Sequence, residues 1–312
     1  MYFPTAKSYF SGCGGMDYGL SLAGVNIIQS LEIDPTCCET LRLNFNHSIL
    51  ETDITQKTVL DQPKADIMVG TFPCIKYSTA ADIHGVRTGD DLFLHFFRHV
   101  ALERPEAYIV ENVPGMRKFR VVMEALTKLP DYYIRIECPV DTVNWLPQRR
   151  PRLILIGTKR PLDIKPPENY RRITLAEILE EEPDMQIPDY VYARLKGKYR
   201  DRPMISDPDD PLSIAPTCVA HYAKDVSTRL VKDKRFPEGI RPYTPCEYAR
   251  LQGFPDSFGF TGSVRDIYRM VGNAVAVPVA EWIGKWIVKY FNADPKRQRH
   301  GKMQLTMFCD RR

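Results

Sequence analysis

Lys7-Ser8-Tyr9-Phe10-Ser11-Gly12-Cys13-Gly14-Gly15 decides the fold. Lys7–Phe10 reads as a short strand, the glycines as the turn that ends it, and the residues up to about Ala23 as a helix. Glycines at a strand-to-helix turn let the backbone approach a nucleotide-like ligand closely. Phe10, Gly12, Gly14 and Gly15 are therefore candidate ligand contacts, although such a turn also serves simply to join a strand to a helix. Working outward, the alternation repeats. Ile27–Leu31 reads as a strand, Thr36–Phe45 as a helix and Ile67–Gly70 as a strand. Leu92–Leu102 places Leu92, Phe93, Phe96, Phe97 and Val100 at helical spacing, and Tyr108–Val110 and Arg152–Ile156 read as strands. Strands and helices alternating at these lengths predict an α/β fold, a largely parallel sheet covered by helices on both faces.

In such a sheet ligands bind at the carboxyl ends of the parallel strands, and chemically capable residues stand there. Glu32 ends the second strand, where a carboxylate can take both hydroxyls of a ribose. Asp53-Ile54 closes a third segment, where a carboxylate can accept from an adenine amino group. Pro73-Cys74 follows Ile67–Gly70 and offers a thiol positioned as a nucleophile. Glu111-Asn112 ends the next strand, and Gln148-Arg149-Arg150-Pro151-Arg152 opens the one after it. Strand alternation puts Arg150 and Arg152 on one side and Arg149 on the other. Taken singly, each acid also reads as a solvated loop residue and the thiol as a buried one. Taken in strand order, they converge on one pocket.

The 312 residues are 44% hydrophobic and 26% charged, which excludes wholesale disorder. A net charge of +4 permits a nucleic-acid partner without demanding one. No apolar run reaches the ~18 residues of a membrane span, and Met1-Tyr2-Phe3-Pro4 lacks a secretory pattern. A cytoplasmic protein with no membrane partner is expected. The eight cysteines form no C-x-x-C pair and no zinc-type cluster, so free thiols and no metal are expected. After about Lys159 prolines thicken, an acidic patch Glu180–Glu182 appears, and Asp207-Pro208-Asp209-Asp210-Pro211 reads as a connector. Helices are expected again at Cys246–Gln252 and Val275–Tyr290.

The chain resembles the cytosine-C5 methyltransferases that use S-adenosyl-L-methionine. The matching blocks, in the family's order, are Phe10–Gly15, Glu32, Asp53-Ile54, Pro73-Cys74, Glu111-Asn112-Val113 and Gln148-x-Arg150-x-Arg152. Arg241-x-x-Thr244-x-x-Glu247 follows, running into Leu251–Asp256, and Gly272-Asn273-Ala274-Val275 comes last. The resemblance implies a Rossmann-like methyltransferase sheet formed by residues 1–157 and 263–312. A smaller inserted target-recognition domain would span 158–262. It implies Cys74 as the nucleophile that adds to C6 of cytosine, with Glu111 at N3 and the exocyclic amine and Arg152 at O2. Arg150 would brace Glu111. Phe10 and Leu92 would sandwich the adenine, Asn273 would close the cofactor pocket, and the last helix would pack beside the first strand. Pro73, Ser78, Asn112 and Gln148 would serve the target base or the loop that carries Cys74. Base-reading candidates in the insert are Lys196, Lys198, Arg200, Thr217, His221, Lys224 and Arg229.

Phe72-Pro73-Cys74-Ile75-Lys76-Tyr77-Ser78 departs from the family's usual Pro-Pro-Cys-Gln, and Ser8 stands where an acid is common. The implied reaction is methylation of a cytosine in a specific duplex DNA sequence by a monomer, with base flipping. The implied partners are that duplex and, where the enzyme is one half of a restriction-modification pair, a cognate restriction endonuclease. The same catalytic blocks also suit a tRNA cytosine-C5 methyltransferase. A dehydrogenase would explain the glycine turn but not the later blocks.

Overall fold

The computed structural model describes residues 1–73, 92–167, 173–198 and 200–294. Seven strands form one sheet: β1 (Thr5–Tyr9), β2 (Asn26–Glu32), β3 (Ser48–Glu51), β4 (Ile67–Gly70), β5 (Ala107–Asn112), β6 (Tyr133–Asp141) and β7 (Pro151–Thr158). Their spatial order is β3-β2-β1-β4-β5-β7-β6. The first five run parallel, and β7 is antiparallel to both β5 and β6. The sheet is thus largely parallel with one reversed strand. The reversal brings the start of β7 to the edge where β1, β2, β4 and β5 end.

Strand alternation sorts the core onto two faces. Ala6, Ile27, Val69, Ile109, Ile154 and Ile156 face one way, beneath α1 (Gly15–Leu22) and the terminal helix. Tyr9, Leu31, Met68, Val110, Leu153 and Leu155 face the other. Phe93 and Phe96 of the helix Leu92–Glu103, and Val122 and Leu126 of the helix Arg120–Thr127, cover that second face. Among the described residues the helices are, in chain order, α1, α2 (Pro35–Asn44), α3 (Leu92–Glu103), α4 (Arg120–Thr127), α5 (Asp189–Lys196), α6 (Pro245–Arg250), α7 (Val264–Asn273) and α8 (Val277–Asn292). The last helix shares a buried apolar cluster with Ala6 of the first strand. It packs on α1, so closely that a Cβ on Gly19 would stand 2.5 Å from Ala280 Cβ, and it reaches the sheet only through its apolar face.

A second sheet of three short strands comprises β8 (Met204–Ser206), β9 (Arg229–Lys232) and β10 (Ile240–Pro242), in the order β10-β9-β8. A third apolar cluster runs from Cys13 and Cys37 through Tyr248, Phe254 and Tyr268 to Leu175, Ile178, Cys218 and Tyr222. It joins the glycine turn to the region around the small sheet. Among the described residues no helix is long and apolar enough to cross a membrane.

Candidate active site

Phe10 leaves β1 with φ 61°, an uncommon conformation for a bulky side chain. Its backbone is pinned on both sides. Phe10 N and Ser11 N donate to Leu31 O at 2.9 and 3.3 Å, and Thr71 Oγ1 donates to Phe10 O at 2.8 Å. Gly12 N then donates to Glu32 Oε2 at 2.7 Å, while Glu32 Oε1 accepts from Ile33 N and Asp34 N at 2.9 Å each. The glycines divide their work. Gly12 lines a cavity at the strand ends. Gly14, at φ 93°, ends the turn against Phe45, and Gly15 lets Val275 O approach where a Cβ would stand 2.3 Å away. Gly14 and Gly15 therefore shape the site by close packing rather than by lining it.

The cavity has a volume of about 650 Å³. One part is walled by Phe10, Ile33, Asp53, Ile54 and Leu92, with Glu32 at the end of β2. Asp53 is fixed by accepting from Thr55 N at 2.8 Å. Asn273, Ala274, Pro73, Glu111, Asn112 and Arg152 line the same cavity. Most residues singled out from sequence thus share one cavity: Phe10, Gly12, Glu32, Asp53, Ile54, Pro73, Leu92, Glu111, Arg152 and Asn273. Asn112 lines it as well.

Glu111 and Arg152 meet because of strand register. Glu111 on β5 lies opposite Ile154 on β7, and Arg152 is two residues from Ile154, on the same face. Arg152 Nε lies 2.9 Å from Glu111 Oε1, with both side chains only 14% and 10% exposed. Arg152 Nη1 also donates to Pro151 O at 2.8 Å, which fixes the guanidinium. Asn112 is buried and donates from Nδ2 to Phe72 O at 3.1 Å, tying the exit of β4 to the exit of β5.

Two expected roles need correction. Arg150 makes no hydrogen bond to Glu111, although the Glu111 charge acts on its guanidinium. Alternation applies only from Pro151, where β7 begins, and Arg150 precedes it. Its guanidinium turns away to Cys218 O, Gly272 O and Ala274 O at 2.8, 3.0 and 2.7 Å. Gln148 is fully buried and does not line the cavity. It donates to Leu251 O and Gln252 Oε1 at 2.6 and 3.1 Å and accepts from Cys218 N at 2.9 Å. Its bonding capacity is spent inside the protein, so it does not hold the base.

Cys74 and Ser78 lie outside the described residues. The six described cysteines offer no activated thiol. Burial pushes Cys13 and Cys218 up to about 12 and Cys246 up to about 11, and it raises Cys37, Cys38 and Cys138 as well. Thiols so protonated are poor nucleophiles near neutral pH.

Sequence reasoning missed Thr71, which anchors Phe10, and the pair Arg269 Nη1–Asp34 Oδ2 at 2.5 Å on the cavity wall. Asp34 caps α2 two residues after Glu32, so the capping pattern was its only signal. Of the base-reading candidates, Lys196 pairs with Glu238 at 2.8 Å, Arg229 donates to Thr217 O at 2.9 Å, and Thr217 donates to Arg149 O at 2.6 Å.

Comparison with known proteins agrees with this geometry. The C-5 cytosine-specific DNA methylase family matches residues 5–289. The Type II methyltransferase M.NlaX of Neisseria lactamica is 32% identical, over 88% of this chain and 93% of its own length. The Type II methyltransferase M.PspPI of Psychrobacter sp. is 30% identical, over 92% of this chain and 79% of its own. The solved structure of the Entamoeba histolytica methyltransferase EhMeth shares the fold, with a TM-score of 0.76 at 16% identity over 93% of this chain and 99% of that one. The chain belongs to the C-5 cytosine-specific DNA methylase family: it is a DNA cytosine-5-methyltransferase whose methyl donor is S-adenosyl-L-methionine.

Proposed function

We propose that this enzyme methylates C5 of one cytosine within a defined duplex DNA sequence, through a covalent bond between Cys74 and C6 of a flipped base. The observation that carries the reading is the Glu111–Arg152 pair in the same cavity as Glu32 and Asp53. An acid and a guanidinium side by side match the N3/amino edge and the O2 edge of cytosine.

The residues fit S-adenosyl-L-methionine. Phe10, Ile33, Ile54 and Leu92 offer apolar surfaces to an adenine ring. A carboxylate has about four acceptor positions; Glu32 uses three on backbone N–H groups and keeps one for a ribose hydroxyl. When bound, the cofactor supplies an electrophilic methyl on a sulfonium. The chain's task is to make C5 nucleophilic enough to take it. The Cys74 thiolate forms the S–C6 bond, which pushes a ring electron pair to C5. Glu111 shares a proton with N3, so the charge that develops on the ring is met by a fixed partner. Arg152 holds O2 and fixes the Glu111 carboxylate. Once C5 has taken the methyl, leaving the donor as a neutral thioether, solvent water takes the C5 proton, the electron pair of that C–H bond restores the ring double bond, and the C6–S bond breaks to return the thiolate. A base inside the duplex is unreachable, so it is extruded first. Asn112, bonded to Phe72 O, steadies the chain two residues before Cys74.

Residues 1–157 and 263–312 form the catalytic part in this reading, and 158–262 the target-recognition part, with Pro73 and Ser78 on the loop beside the base. The enzyme acts as a cytoplasmic monomer. A restriction endonuclease of the same specificity is its natural partner, as the names of the Type II relatives suggest. The test is direct. Cys74→Ser should end methyl transfer while S-adenosyl-L-methionine still binds, and a duplex carrying 5-fluorocytosine at the target should trap a protein–DNA adduct. Undiminished turnover by Cys74→Ser overturns the mechanism. Label appearing in bulk tRNA rather than duplex DNA overturns the substrate.

A further inference from the structure

The methyl-transfer chemistry leaves Arg150 without a part, yet it is one of the largest fully buried side chains, 2% exposed. Burial and the nearby Arg152 charge pull its guanidinium below the usual arginine range. Its hydrogen bonds all go to backbone carbonyls: Nη1 to Cys218 O, Nη2 to Gly272 O and Ala274 O. Gly272 and Ala274 stand at the end of α7, where the last carbonyls lack partners inside the helix and carry the negative end of its dipole. One cation therefore caps α7 and, through its other nitrogen, grips the inserted region.

The same junction is fastened around Arg150. Gln252 Nε2 donates to Val271 O and Ala274 O at 2.8 and 3.1 Å, and Gln148 links Gln252 to Cys218 N. Tyr248 Oη accepts from Val219 N at 2.5 Å. A Cβ on Gly272 would stand 2.3 Å from Ala220 N, so the two segments touch backbone to backbone. Asn273, which lines the cavity, sits between two residues whose carbonyls Arg150 holds. Thr217 follows the bridge between Gln148 and Ala215 and leads into the gripped Cys218.

We propose that Arg150 is a positioning residue that sets Asn273 at the cofactor cavity and the Thr217–Ala220 segment at the DNA-facing side in one register, so that occupancy of either site is felt at the other. The inference rests on reading the inserted region as the part that meets DNA. A planar fork of five donors can span three carbonyls, whereas a lysine ammonium cannot reach them in the same geometry. Coupling of this kind is reciprocal for binding.

The experiment titrates S-adenosyl-L-homocysteine, an unreactive probe of the cofactor cavity, into the full chain with and without a duplex that the wild type labels. The wild type should bind the probe roughly fivefold or more tightly when DNA is present. In Arg150→Lys the enhancement should fall to about one, with the KM for DNA rising more than kcat falls. Should Arg150→Lys fail to fold, Tyr248→Phe removes only the hydroxyl grip on Val219, and the enhancement should shrink there too. An enhancement equal to wild type in the folded variants overturns the proposal, as does a wild type that labels DNA with no enhancement. A chain that labels no DNA fails at the functional reading itself, and the coupling falls with it.

Discussion

Glu111 and Arg152 lie diagonally across two antiparallel strands, and that offset lets the guanidinium touch one carboxylate oxygen from the side. Glu111→Gln keeps the shape but removes the charge that shares the N3 proton. It should lower kcat by about 10²–10³ and leave S-adenosyl-L-homocysteine affinity unchanged, read by steady-state transfer of labelled methyl and by calorimetry. Thr71→Val removes the hydroxyl that holds Phe10 O. Freed to relax from its positive φ, Phe10 should stack less well, and cofactor affinity should fall by roughly fivefold, about the loss of one net hydrogen bond. At this scale much was legible. Acids at strand ends announce themselves because few other positions tolerate them. Arg150 was not, because it stands one residue before the strand whose alternation would have fixed its side. Gln148 was not either, because a buried amide and a ligand-holding amide look alike until their partners are seen. Thr71 was invisible, since its bond runs to a backbone atom 61 residues away.

Among elements, α3 does more than cover the sheet. Arg98 Nη2 donates to Lys57 O at 2.6 Å and, more weakly, to Ile54 O at 3.4 Å, which props the turn that carries Asp53 and Ile54. Next to it His99 is fully buried against Tyr9, and burial with the Arg98 and Lys7 charges pushes it down to about 4. The folded form therefore binds a proton less readily than the unfolded chain. This contribution to stability is complete above about pH 6.5 and is lost as the pH falls towards 4, amounting to about 3 kcal/mol. His99→Gln should flatten the fall in melting temperature between pH 7 and pH 5; a slope equal to wild type would show that other groups carry it. The central strands and the long helices were readable because their apolar periodicity is strong. The edge strands β3 and β6 were not, because exposed edges carry little of it. The three strands of the small sheet, only three or four residues each, gave no periodic signal either.

Across the whole molecule, a buried charge cluster fastens the end of β9, β10 and α6 to one another. Arg241 is wholly buried and reaches Asp233 and Glu247 at 2.7 Å each. Its guanidinium, with that of Arg235, holds the Asp233 carboxyl well below the usual range. Arg241→Ala would leave the buried Glu247 carboxylate without its cation, while Asp233 keeps Arg235, and should cost about 3–5 kcal/mol, visible as a lowered denaturation midpoint; a midpoint near wild type would show that water takes over. Expression in a methylation-free host followed by bisulfite sequencing should reveal one methylated sequence context, and methylation scattered over all cytosines would contradict a recognition role for the insert.

The reversed direction of β7 constrains the route of the chain beyond it. Running against its neighbours, it delivers the chain at Thr158 to the floor of the sheet, where Lys159 N meets Glu106 O. Ile173 N is already back at Trp145 O, near the opposite rim. The eight residues of β7 cover about 26 Å at ~3.3 Å each, which is the height between those two points. Any foreign lobe spliced in at position 159 would need its own ascending leader of at least about eight extended residues, or it would hang at the wrong end of the molecule.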